Sequence, residues 1–167
     1  MKEPSIVLRA ASEADLPTIG ELAGKIWRAW YPQIISMEQV EYMLQRMYSP
    51  HSLAEQMQRR HAFHLLFVDG QAAGYCSVSA DSEQGEGAFF LHKFYVDTAL
   101  HRQGLGAQML AYLLQTYQPQ ALRLTVNRVN YTAINFYFRN GFTIERVADF
   151  DIGGGYFMND FVMLRKG

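Results

Sequence analysis

Phe89-Phe90-Leu91-His92-Lys93-Phe94-Tyr95-Val96, followed after four residues by His101-Arg102-Gln103-Gly104-Leu105-Gly106, is the stretch whose reading decides the fold. The first run is apolar and aromatic, as in a half-buried strand. The second ends on two glycines one residue apart, and a helical pattern opens from Ala107 towards Tyr117. A strand, a glycine loop and a helix start together build an anion site out of backbone. Glycine lets the chain turn tightly and approach a ligand. The helix start adds unpaired N–H groups and the positive end of the dipole. A pyrophosphate is the fitting guest.

The residues around the glycines discriminate between pyrophosphate ligands. A nucleotide P-loop needs Gly-Lys-Ser or Gly-Lys-Thr, and neither occurs in the chain. The dinucleotide fingerprint needs a third small residue where Met109 stands. It also wants an acid roughly 20 residues further on, where the chain reads Ala121-Leu122-Arg123-Leu124-Thr125. What remains is the pattern Gln/Arg-x-x-Gly-x-Gly/Ala. It resembles the coenzyme A pyrophosphate loop of the GCN5-related N-acetyltransferases (GNAT), here His101 to Ala107. His101 takes the usual Gln/Arg position and Arg102 follows it. Such a loop grips phosphate mainly through main-chain N–H groups, so this departure is expected to adjust affinity and not abolish it.

A second motif supports the first. Asn130 through Phe142, with Ala133, Phe136, Tyr137 and Gly141 in register, is similar to the same family's Asn-x-x-Ala-x-x-Phe-Tyr-x-x-x-Gly-Phe segment. Asn130 suits a helix N-cap and Gly141 a C′ residue. Ala133, Phe136 and Tyr137 share one face of the helix between them. The resemblance implies an α/β domain of GNAT type: a mixed, twisted, mostly antiparallel sheet of six to seven strands with helices on both faces.

The rest of the pattern fits that layout. Ser5 to Arg9 reads as a strand, and Ser12 with Asp15 as a capping box opening a helix towards Trp30. Helical segments follow at Met37–Met47 and Leu53–Arg60. Phe63–Val68 and Ala72–Ala80 form a hairpin about Asp69-Gly70, and Leu122–Val126 is a further strand. Thr143–Phe150 and Tyr156–Leu164 are two last strands joined at Gly153-Gly154-Gly155. With 167 residues, 49% hydrophobic, the chain is expected to form one domain over 1–167. A net charge of −1 points to neither nucleic acid nor a membrane surface as partner. A single cysteine suits a reducing cytoplasm. The N-terminus shows no signal region and no apolar run long enough to span a membrane.

The resemblance implies acetyl transfer from acetyl-coenzyme A to a primary amine through a ternary complex, without a metal. Main-chain groups of Phe94, Tyr95 and Val96 would hold the pantetheine arm and polarise the thioester carbonyl. The loop residues His101, Arg102, Gln103, Gly104, Leu105, Gly106 and Ala107 would hold the pyrophosphate, while Asn130, Phe136 and Tyr137 would contact the cofactor. Tyr137 is the candidate acid for the departing thiolate, being a phenol of suitable basicity; one of 10 tyrosines, it also reads as a core residue with a satisfied hydroxyl. His92 is the candidate base or water-orienting group, against a packed, hydrogen-bonded histidine. Phe94 and Val96 side chains read as core, and Asn130 equally as a plain cap. Glu86, Asp149 and Asp151 are further acids, each also readable as a solvated loop charge. His61 and His64 would point to opposite faces of a strand and hold no metal; Cys76 reads as inert packing. Trp27, Trp30 and Tyr31 pack near a helix end or line an amine pocket by cation–π contact.

The resemblance implies as acceptor a small-molecule amine, of polyamine or amino-acid type, or a peptide N-terminus. A polyamine would favour an acidic groove, which Asp81, Glu83, Glu86, Asp149, Asp151 and Asp160 supply. A homodimer through the final strands is compatible with the fold. The alternative is a non-catalytic acyl-coenzyme A-binding regulatory module of the same fold.

Overall fold

The computed structural model describes residues 2–167. Strand β1, Ile6–Ala10, leads into a short turn of helix in which the Ser12 N–H donates to the Asp15 carboxylate at 2.9 Å. That carboxylate also receives Arg9 Nη1 at 2.9 Å, and the helix α1, Leu16–Trp30, follows. Its buried face carries Ile19, Ala23, Ile26 and Trp27 at three- and four-residue steps. Helix α2, Met37–Tyr48, is capped by Ser36, whose hydroxyl accepts from the Gln39 N–H. Helix α3 spans Pro50–Gln58, three residues earlier than the sequence pattern suggested. The cause is local: Ser49 accepts from the Ser52 N–H, and Pro50 takes the first helical position, where its missing N–H costs nothing.

Strands β2, Ala62–Val68, and β3, Gln71–Ala80, form the expected hairpin. Asp69 and Gly70 both have positive φ, 50° and 79°, as a two-residue hairpin turn requires. β4, Ala88–Val96, precedes the glycine loop, and α4 runs Leu105–Tyr117. β5, Ala121–Asn127, pairs in parallel with β4 from Ala88↔Ala121 to Leu91↔Leu124. Helix α5, Tyr131–Arg139, begins with the Asn130 side chain accepting from the Ala133 N–H and ends at Gly141, φ +89°. β6, Thr143–Gly153, and β7, Tyr156–Lys166, pair antiparallel around Gly154-Gly155. The seven strands lie in the order β1-β2-β3-β4-β5-β7-β6. β1–β2, β2–β3, β5–β7 and β6–β7 are antiparallel.

The chain divides into two compact units, one running through Val78 and resuming over Lys93–Leu113, the other Ser79–His92 with Leu114–Gly167. In the first, Trp27, Phe63, Leu65 and Tyr75 are almost wholly buried. In the second, Leu122, Leu124, Phe142 and Met163 fill the core. Each such side chain contributes about 1.5–3 kcal/mol of burial.

Candidate active site

The first unit holds the glycine loop. Asp97, only 6% exposed, anchors its start. The Asp97 N–H donates to the Ala73 carbonyl at 2.7 Å, and its carboxylate accepts the Ala99 N–H at 3.0 Å and Lys25 Nζ at 2.8 Å. Burial raises the Asp97 pKa, but Lys25, the Ala99 N–H and His101 outweigh it, so the net shift is downward. His101 Nε2 donates to the Val96 carbonyl at 3.0 Å, tying the loop back to the end of β4. The residue that departs from the family pattern thus braces the loop. Arg102 and Gly104 both have positive φ, 68° and 76°, which turns the chain into α4. The Gln108 N–H donates to the Gly104 carbonyl at 3.1 Å. The amides of Leu105, Gly106 and Ala107 therefore occupy the first turn, where helix geometry supplies no acceptor, and no acidic residue stands there.

Beside this loop sequence lies a polar network inside an aromatic cluster. Trp27 Nε1 donates to the Tyr75 hydroxyl at 3.2 Å, which donates to that of Tyr48 at 2.8 Å. The Tyr31 and Tyr95 hydroxyls are 3.0 Å apart. Trp27 and Tyr31 are thus packing residues here, with ring centroids 4.3 Å apart. Burial pushes the Tyr48 and Tyr75 pKa values well up, so both remain neutral donors. Lys93 is buried as well, at 5% exposure. Its ammonium donates to Gln56 Oε1 at 2.6 Å and lies over the rings of Tyr48 and Phe63. Burial brings its pKa down to about 8. Cys76 is buried with its thiol pushed up, and is inert. His61 precedes β2 rather than lying in it, while His64 sits within β2 with Nδ1 2.8 Å from the Tyr112 hydroxyl. Among the described residues, no three His, Cys, Asp or Glu side chains are grouped to hold a metal ion.

The second unit holds the remaining candidates. His92 Nε2 lies 2.7 Å from the Ser79 hydroxyl, and its ring is 4.9 Å from that of Phe90. Tyr137 is buried on α5 against Phe136 and Phe142, at ring centroids of 5.4 and 5.3 Å. Asn130 is buried and acts as the cap, at 3.4 Å from the Ala133 N–H. All six acids proposed for an acidic groove fall in this unit. Glu83, Glu86, Asp149 and Asp151 are exposed, whereas Asp160 is 1% exposed. Arg128 takes Asp149 into an ion pair at 2.9 Å and donates to the Asp160 carbonyl at 3.1 Å.

A family model for the acetyltransferase (GNAT) domain matches residues 33–150. The chain belongs to the GNAT acetyltransferase family. It is 26% identical, over 97% of its length and 98% of the relative's, to a spermidine N(1)-acetyltransferase of Thermoplasma acidophilum. The PaiA N-acetyltransferase of Thermoplasma acidophilum, solved in complex with coenzyme A, matches with a TM-score of 0.79 and 26% identity, covering 98% of this chain and 99% of that one. The ribosomal-protein-S18-alanine N-acetyltransferase of Escherichia coli shares the fold at a TM-score of 0.73, with 18% identity over 97% of this chain and 94% of its own. This GNAT protein is accordingly an N-acetyltransferase. Among the described residues, no helix is long and apolar enough to cross a membrane.

Sequence reasoning passed over Lys93 and the Asp97–Lys25 pair, and took Asp160 only as one acid among six. A charged residue next to large apolar ones was the available signal, Lys93 before Phe94-Tyr95 and Asp160 before Phe161-Val162.

Proposed function

We propose that this GNAT protein, acting as one domain, moves the acetyl group of acetyl-coenzyme A onto a primary amine of a small molecule, with a polyamine the leading acceptor class. The relation over almost the whole chain to a protein named spermidine N(1)-acetyltransferase carries this reading. The exposed acids Glu83, Glu86 and Asp151 support it, since a polycation gains from a field of opposite sign. The pyrophosphate rests on the amides of Leu105 to Ala107, with Gly104 supplying the turn and His101, Arg102 and Gln103 the outer loop. Backbone of Phe94, Tyr95 and Val96 holds the pantetheine arm. Asn130 and Phe136 contact the cofactor, and Tyr137 returns a proton to the sulfur. His92, fixed by Ser79, is the base or orients water for the amine.

A peptide N-terminus is the second reading, supported at the level of fold by the ribosomal-protein acetyltransferase likeness. Free-thiol release from acetyl-coenzyme A against spermidine, small diamines, amino acids and alanyl peptides separates the two. Release with spermidine and not with peptides is expected; release with peptides alone refutes the polyamine reading. The Tyr137→Phe variant is expected to lose turnover while its coenzyme A affinity by calorimetry stays unchanged. A homodimer across the edge strand β6, where Ile144 and Val147 are exposed, is part of the proposal, and sedimentation would reveal it.

A further inference from the structure

The segment that leads from β4 into α4 carries a strained residue. Arg102 has φ +68°, a left-handed conformation that residues with a Cβ adopt only rarely. Such a residue persists only where its surroundings hold it, and it gathers in loops that meet a ligand. Gly104, two residues on, takes the same region at φ +76° with no Cβ to object. The strain therefore falls on Arg102, and its neighbours must oppose it.

His101, directly before Arg102, is exposed and yet held at three points. Its N–H donates to the Thr98 carbonyl at 3.3 Å, and its Nε2 to the Val96 carbonyl at 3.0 Å. A carbonyl only accepts, so Nε2 is the ring nitrogen that carries a proton. The ring also meets that of Trp30, the last residue of α1, edge-on, at 5.4 Å between centroids and 63° between planes. The end of α1 grips the same segment twice more. Lys25 Nζ donates to the Asp97 carboxylate at 2.8 Å, and the Tyr31 hydroxyl lies 3.0 Å from that of Tyr95. All these residues belong to the first unit. The amides of Leu105 to Ala107 thus begin where a chain already fixed to α1 and to the end of β4 turns into its helix.

We infer that His101 is a positioning residue that clamps the loop between Val96 and Trp30, holds Arg102 in its left-handed turn, and so keeps the phosphate-binding amides in place before coenzyme A arrives. This rests on the reading of the loop as the pyrophosphate site, and gives His101 a role through loop geometry and not through contact with phosphate. A loop closed for only part of the time binds its ligand with an affinity reduced by that fraction. The bond to Val96 sets a demand on reach. Glutamine, which the family pattern has at this place, carries its amide nitrogen about as far along the side chain as Nε2, whereas asparagine reaches only as far as Nδ1.

The test compares wild type, His101→Ala, His101→Gln, His101→Asn, Trp30→Leu and the double variant His101→Ala/Trp30→Leu. Coenzyme A affinity is measured by calorimetry. Trypsin cleavage between Arg102 and Gln103 is followed by mass spectrometry, as the appearance of fragments 1–102 and 103–167. Trypsin needs an extended chain, so cleavage beside a left-handed arginine reports how often the loop opens. One hydrogen bond shifts such an equilibrium by about 3- to 10-fold. His101→Ala and His101→Asn are each expected to be cut faster by that factor, and His101→Gln to return to near the wild-type rate. Without the clamp the strain at Arg102 favours the open loop, and coenzyme A affinity should fall about twofold or more in the alanine and asparagine variants. Trp30→Leu should move both readouts in the same direction, and the double variant should be no worse than His101→Ala, since Trp30 acts through the imidazole. An alanine variant cut no faster than wild type, or binding coenzyme A as tightly, overturns the clamp, and so does a glutamine variant that behaves like the asparagine one. Should His101→Ala not fold, glutamine against asparagine decides alone. Saturating coenzyme A should protect the wild-type bond at Arg102. A wild-type protein that binds coenzyme A without this protection fails the reading of the loop itself, a result visible before any variant is made, and the clamp falls with it.

Discussion

Replacing Lys93 by methionine should make the protein more stable at neutral pH and leave it no more stable in alkali. The folded pKa is about 8 against an ordinary 10.5. At about 1.4 kcal/mol for each pH unit, the charge costs roughly 3 kcal/mol while it is carried. Below pH 8 the lysine is charged in both the folded and unfolded chain, so that cost is present in full. From pH 8 to 10.5 the unfolded chain holds the extra proton, and wild-type stability rises with pH across that window. Methionine keeps the apolar stem but loses the ammonium bond to Gln56 Oε1. Gln56 itself stays anchored through Nε2 to the Met47 carbonyl and the Ser52 hydroxyl. Leaving its oxygen unbonded costs about 1–2 kcal/mol. The balance is a gain of about 1–2 kcal/mol at pH 7, or a rise in Tm of about 2–8 °C for a chain of this size. By pH 10.5 the difference should have disappeared or changed sign. Urea unfolding of wild type and Lys93→Met at pH 7, 8.5 and 10, read as the difference between the two, checks this. A variant less stable than wild type at pH 7, or a difference that does not change with pH, would refute the reasoning.

Three other outcomes are expected. Asn130→Ala should lower the stability of the free protein by about 1 kcal/mol, seen in a thermal melt, since the side chain caps α5 through the Ala133 N–H. Gly104→Ala meets no atom within 4 Å of its new Cβ, so its penalty comes only from φ +76°, about 1–2 kcal/mol; calorimetry should also show weaker coenzyme A binding as the loop amides shift. Asp97→Asn should lower stability at neutral pH and match wild type in acid: the folded pKa is lowered, so the contribution is present above the ordinary 3.8 and lost as pH falls through the folded value. An acid titration of tryptophan fluorescence that fails to converge for the two proteins at low pH would contradict this.

What was legible in the sequence had local causes. Caps at Ser12 and Asn130, the turn at Asp69-Gly70 and the glycines of the last hairpin each follow from a few neighbouring residues, whose backbone needs are met on the spot. Strand alternation and helical spacing likewise placed every long element, with α3 displaced only because the Ser49-Pro50 start was overlooked. The two family motifs were readable for the same reason, each being a loop or cap joined to one helix.

The partners of buried charges were not readable. Lys93 meets Gln56 from 37 residues away, Lys25 meets Asp97 across 72, and Asn127 lies opposite Asp160 only because β7 returns antiparallel beside β5. Such pairings depend on strand order and register, which long-range packing selects among several arrangements of equal local pattern. Sequence by itself determined the elements, the phosphate loop and the family resemblance, because hydrogen bonding and hydrophobic period act over a few residues. Only the tertiary structure decided which polar groups are withdrawn from water and what faces them, because desolvation depends on every element packed around the group.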